Sequence, residues 1–104
     1  MNAQDLIDYW KIGADHVWET AEVLMRLKRY DHALFFCHLA VEKIIKGLVA
    51  KKTEQDAPPI HNLVTLTELT GLQVNIKQQE ALKEMTPWNV RARYDEVKFN
   101  FYKK

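Results

Sequence analysis

"ALFFCHLAVEKIIKGLVAKK", Ala33 to Lys52, decides the fold. Ala33, Phe36, Cys37, Ala40, Ile44 and Leu48 recur at helical spacing, and Leu34, Val41, Ile45 and Val49 widen that stripe. Side chains three and four apart share a helix face, so the segment is a helix apolar over more than half its circumference. Such a helix belongs at the centre of a bundle, with a narrow exposed strip. His38, Glu42 and Lys46 stand on that strip at steps of four, with Lys43 beside them. Two readings of the row are open: a solvated, salt-bridged face, or a polar groove able to hold a phosphate or an acidic group.

Working outward, the preceding segment repeats Ile7, Trp10, Ala14, Val17, Ala21 and Leu24, with Trp18 and Met25 beside them. This spacing predicts a helix over about residues 3 to 28, with Gly13 either a weak point of roughly 1 kcal/mol or a place of close packing. Asp31 is placed to cap the central helix. After it, "TEQDAPP" is a loop, because Pro58 and Pro59 cannot continue a helix. "IHNLVTLTELTGL" predicts a short helix capped by Asn62, faced by Leu63, Leu66 and Leu69, and stopped at Gly71. "NIKQQEALKEMT" predicts another, with Asn75 and Gln78 in capping-box spacing and an end before Pro87. From Trp88 the helical period is lost, and Val97, Phe99 and Phe101 alternate with polar neighbours. The pattern is an all-α, up-and-down bundle of four to five helices in a single domain, 1–104.

At 104 residues the chain supports one core. Its 15 basic and 14 acidic residues leave a formal charge of +1, so no global field drives it onto nucleic acid or an anionic membrane. One cysteine, Cys37, excludes an internal disulfide and a Cys-rich zinc site. With neither a signal peptide nor a transmembrane run, a cytoplasmic location is expected.

The chemistry-bearing residues are sparse. His16, His32, His38 and His61 share no helical turn, which argues against a metal site, and no cofactor is implied. Cys37 lies in the apolar stripe as a small core residue. "NVRARYDEVKFNFYKK", Asn89 to Lys104, gathers Arg91, Arg93 and Tyr94 beside two carboxylates. Arginine's planar fork suits phosphate, and a tyrosine ring can stack on a base. The structural reading is equally open: an arginine pinning the tail to a carboxylate such as Glu42.

Taken together these marks resemble the HEPN family (higher eukaryotes and prokaryotes nucleotide-binding). The central helix runs into Ala-x-Glu-Lys-x-x-Lys, here Ala40, Glu42, Lys43 and Lys46. Trp10, Ala14 and Asp15 precede it, His61 and Leu63 follow the proline loop, and Arg93 and Tyr94 come last. The resemblance covers nearly the whole chain. It implies a bundle of about five helices, a homodimer, and pairing with a minimal nucleotidyltransferase in a toxin–antitoxin-like module.

Many similar proteins are metal-independent endoribonucleases carrying an Arg followed by a His, with four to six residues between, near the start of the last helix. This chain has no histidine after Arg91 or Arg93. The formal match from Arg26 to His32 lies at the junction of the first two helices, the wrong place. No catalytic residue is therefore assigned. The chain instead resembles the Arg-Tyr-Pro/Asp subgroup, which implies Lys43, Lys46, Arg93 and Tyr94 as contacts for a nucleotide or RNA, with His38, Glu42, His61 and Arg91 supporting. The expected function is a nucleotide- or nucleic-acid-associated binding module. A nuclease and a purely structural interaction domain are the alternatives. In similar proteins one more helix follows the Arg-Tyr segment, so the domain is expected to be incomplete at its C-terminus or closed by a partner chain.

Overall fold

The computed structural model describes residues 2–88, and the readings that fall on 89–104 lie outside them. Among the described residues four helices follow one another: α1 (Ala3–Arg26), α2 (Tyr30–Thr53), α3 (Leu63–Thr70) and α4 (Ile76–Met85). Among the described residues there is no strand, and the chain is all-α, as the periodicity predicts. Asn2 caps α1 through Asp5 N–H at 2.8 Å. At the other end Lys28 N–H donates to the Met25 carbonyl at 3.1 Å and Arg29 N–H to that of Leu24 at 2.9 Å. This pair of bonds is a Schellman turn, and Lys28 takes its left-handed position (φ 60°), where glycine is usual.

The turn corrects one expectation. Asp31 does not cap α2; the cap position falls to Arg29, which makes no side-chain capping bond. The Schellman turn returns the chain to helix within three residues, so Asp31 already lies in the first turn. There its charge still opposes the positive end of the helix. The other boundaries stand where the sequence puts them. Asn62 accepts from Val64 and Thr65 N–H at 3.0 and 3.1 Å. Gly71 ends α3 at φ 72°, and Asn75 with Gln78 forms a full capping box on α4.

α1 and α2 form an antiparallel hairpin, since Gly13 lies against Lys43 while Trp10 lies against Gly47. Their seam is made of small residues: Ala14, Ala21, Ala33, Ala40, Gly47 and Ala50 are all buried. Short side chains let the two backbones approach closely, which leaves little room for a charged pair along the seam itself. α3 packs on α2, and α4 on α3. The core lies where these meet: Ile45, Val49, Leu63 and Leu66, with Ile60, Leu82 and Met85 against them.

The apolar circumference of α2 exceeds what the described helices around it cover. Ile44 and Leu48, expected in the buried stripe, are exposed, as are Trp18 and Met25 on α1. Helical spacing identifies apolar positions but not the arc that a neighbouring helix will occupy. Two open apolar clefts of about 320 and 330 Å³ lie either side of Leu48.

The two mid-helix glycines of the hairpin separate cleanly. A Cβ on Gly13 would meet the flexible side chain of Lys43 at 3.4 Å, whereas on Gly47 it would meet Trp10 Cβ at 3.3 Å. Trp10 Cβ is fixed to the α1 backbone and cannot yield without moving the helix. Gly13→Ala should therefore stabilise the fold by roughly 0.5–1 kcal/mol through helix propensity. Gly47→Ala should fail to gain it, because the contact opposes the propensity. Urea titration of the two variants checks the contrast, and an equal gain in both would remove the close-packing reading of Gly47.

Candidate functional site

His38, Glu42 and Lys46 come from successive turns of α2 and point inward, beneath the segment that leads into α3. The solvated-strip reading is thereby corrected: their relative exposures are 1%, 4% and 6%. An open groove is not what the row forms either. Glu42 Oε2 accepts from Lys46 Nζ at 3.2 Å, and Glu42 Oε1 accepts from His61 Nδ1 at 2.9 Å. His38 Nδ1 lies 3.8 Å from the same Oε1. A carboxylate withdrawn from water needs such partners, because an unpaired buried charge costs several kcal/mol. Both Glu42 oxygens are thus engaged within α2 and the loop, while the reading in which an arginine pins the tail to Glu42 falls outside the described residues.

His61 reaches Glu42 because its backbone is fixed from three directions. Ile60 N–H donates to the Pro58 carbonyl at 2.8 Å, which tightens the proline loop. Asn62 is the α3 cap, so His61 stands immediately outside the helix. His38 Nε2 donates to the His61 carbonyl at 3.2 Å. That bond places the His38 proton on Nε2, and the bond to a carboxylate places the His61 proton on Nδ1. The His61 ring is 56% exposed while the carboxylate behind it is 5% exposed. Nε2 of His61 has no hydrogen-bond partner among the described residues.

Trp10 of α1 closes the other flank. The ammonium groups of Lys43 and Lys46 each lie 5.3 Å from its ring centroid, within cation–π range. Trp10 Nε1 donates to Asp56 Oδ1 at 3.1 Å, tying α1 to the proline loop, and Tyr9 meets the ring edge-on. The cluster therefore draws on α1, α2 and the loop, and none of these alone would position it. Lys46 is held by Glu42 and Trp10; Lys43 is half-buried, with no acidic partner among the described residues. Arg91, Arg93 and Tyr94 lie outside the described residues.

Asp56 is the member that spacing does not find, and spacing places Trp10 only in the apolar stripe of α1. The available signal was the indole N–H, which needs an acceptor wherever the ring is packed. Of the remaining candidates, Arg26 ends α1 and His32 lies in the first turn of α2, both exposed and bracketing the Schellman turn. Burial pushes the Cys37 thiol up, which disfavours the reactive thiolate at neutral pH. Among the described residues no group of His, Cys, Asp and Glu is arranged for a metal ion.

A hairpin of two long helices, the Glu42–Lys46 pair in the second and a His-x-Leu at the start of α3 are the features expected of one family. The family model described as HEPN domain matches residues 7–104. The chain belongs to the HEPN family. No curated protein and no solved structure matches it. In HEPN terms, the Ala-x-Glu-Lys-x-x-Lys and His-x-Leu motifs are not separate marks here. Glu42 and Lys46 of the first are bonded to each other, and Glu42 also holds His61 of the second. No helix among the described residues is long and apolar enough to cross a membrane.

Proposed function

We propose that this HEPN domain is a nucleotide- or nucleic-acid-associated binding module. The observation that carries the reading is the pair of ammonium groups over Trp10, one of which, Lys43, lacks an acidic partner among the described residues. A lysine half-exposed beside an aromatic ring is suited to a phosphate oxygen, with the field of Lys46 behind it. Lys46 itself is buried on Glu42, so in this reading it orders the site and Lys43 makes the contact. Arg93 and Tyr94 complete the set, the guanidinium for a phosphate and the ring for a base.

The module is proposed to act as a homodimer beside a minimal nucleotidyltransferase in a toxin–antitoxin-like pair, in the cytoplasm. Exposed Ile44 and Leu48 between two apolar clefts support an interface on the outer arc of α2. Calorimetry with ATP and GTP tests the binding role. Heat is expected with at least one nucleotide, with affinity falling about tenfold or more in Lys43→Ala and in Arg93→Ala, the size of a lost hydrogen bond to a charged group. Silence with both nucleotides and with single-stranded RNA would end the reading. Lys43 is the better target than Lys46, whose removal would leave Glu42 partly uncompensated.

A further inference from the structure

We infer that His61 is a phosphoryl-acceptor residue, its imidazole held by Glu42 so that Nε2 can take a phosphoryl group from a small acyl-phosphate-type donor. The inference does not rest on nucleotide binding. It rests on one side chain being half in and half out of the protein. Nδ1 of His61 donates to a buried carboxylate at 2.9 Å, while more than half of the ring faces solvent. A mere structural latch needs only a donor toward Glu42. An imidazole adds a second nitrogen, and in the neutral ring the bond at Nδ1 selects the tautomer whose Nε2 carries the lone pair.

The carboxylate also answers the charge change of the reaction. The Nε2 lone pair attacks phosphorus, the N–P bond forms, and the bond from phosphorus to the acyl oxygen breaks, with acetate leaving on its electron pair when acetyl phosphate is the donor. The ring becomes cationic as the phosphoryl arrives, and the Nδ1 proton stays on its bond to Glu42. A buried anion against Nδ1 stabilises that cation, as the aspartate of a hydrolase triad does for its histidine. Lys46 on Oε2 and His38 on the His61 carbonyl hold the carboxylate and the backbone in register. Acid–base catalysis on a bound substrate would instead call for a cleft that excludes water. The two apolar clefts flank Leu48 and neither is lined by His61. An imidazole that is more than half exposed is suited to receiving a group presented to it.

His16 and His32 serve as internal controls, since both are exposed and neither is bonded to a carboxylate among the described residues. The folded protein is incubated with potassium phosphoramidate or acetyl phosphate in mildly alkaline buffer. Phosphohistidine is then located by peptide mass spectrometry without acid, and the isomer identified by NMR. His61 should be modified roughly tenfold faster than His16 or His32, and at Nε2 alone, because Nδ1 is engaged. In urea the three should react alike. Glu42→Gln keeps an acceptor for Nδ1 but loses the charge, and should bring His61 down toward the controls. Equal rates for His61 and His16 in the folded wild type, or an Nδ1 adduct on His61, would overturn the inference. So would an unchanged rate in Glu42→Gln. If that variant does not fold, the wild-type rate ratio and the isomer decide alone.

Discussion

Glu42→Ala is expected to lower stability by about 3–5 kcal/mol, the usual result of removing one partner from a buried ion pair. Three groups lose their anchor at once. Lys46, 6% exposed, is left in the interior with the Trp10 ring as its remaining partner among the described residues. His61 loses the acceptor for Nδ1, and His38 the neighbour at 3.8 Å. Against a total of about 5–15 kcal/mol for a domain of this size, such a loss unfolds a visible fraction at room temperature. Urea titration followed by circular dichroism measures it. A change under about 1 kcal/mol would mean that water reaches the cluster and that the pairing is worth no more than a surface bridge. The double variant Glu42→Leu with Lys46→Met should recover much of the loss, because apolar replacement of a whole buried pair is often neutral.

Leu66→Ala is expected to cost about 2–5 kcal/mol, through lost burial and the cavity left behind. Leu66 is fully buried and packs with Leu63, Ile45 and Val49. α3 has only eight residues, too few to persist as an isolated helix in water, so its existence depends on that packing. The variant should therefore show weaker helical signal in the native baseline as well as a lower midpoint. Leu69→Ala is the control. Leu69 is exposed, and the expected change is within about 0.5 kcal/mol. Similar losses at both positions would mean that α3 is seated differently.

Leu69 also shows where periodicity misleads. Leu63, Leu66 and Leu69 look like one face, yet each step of three falls back about 60° around a helix, so Leu69 has drifted about 120° from Leu63. Thr67 and Thr70 stay on the arc and are buried in its place. Their hydroxyls donate to the Leu63 and Thr67 carbonyls at 2.8 and 2.6 Å. A hydroxyl satisfied by its own helix can be buried at little cost, so a polar label did not mean a solvated side chain.

The same lesson holds at the site. His38, Glu42, Lys43, Lys46 and His61 were all legible as candidates, and so was the family. Their arrangement was not, because the row on α2 is equally compatible with a wet face and a buried one until α3 is placed. His61 is nineteen residues from Glu42 in sequence, and Asp56 forty-six from Trp10. No local pattern reports contacts across such distances.

What the sequence by itself determined is local: the four helices, their caps at Asn62 and Asn75, the stop at Gly71 and the all-α class. Capping, turn and helix-period signals act within a few residues and can be read from them. The tertiary structure alone decided which arc of α2 is covered, that the charged row lies inside, and that His61 closes it. Those outcomes depend on how closely two alanine-lined helices approach and where an eight-residue helix finds its core. Both are set by packing between segments distant in the chain, and short-range chemistry carries no record of it.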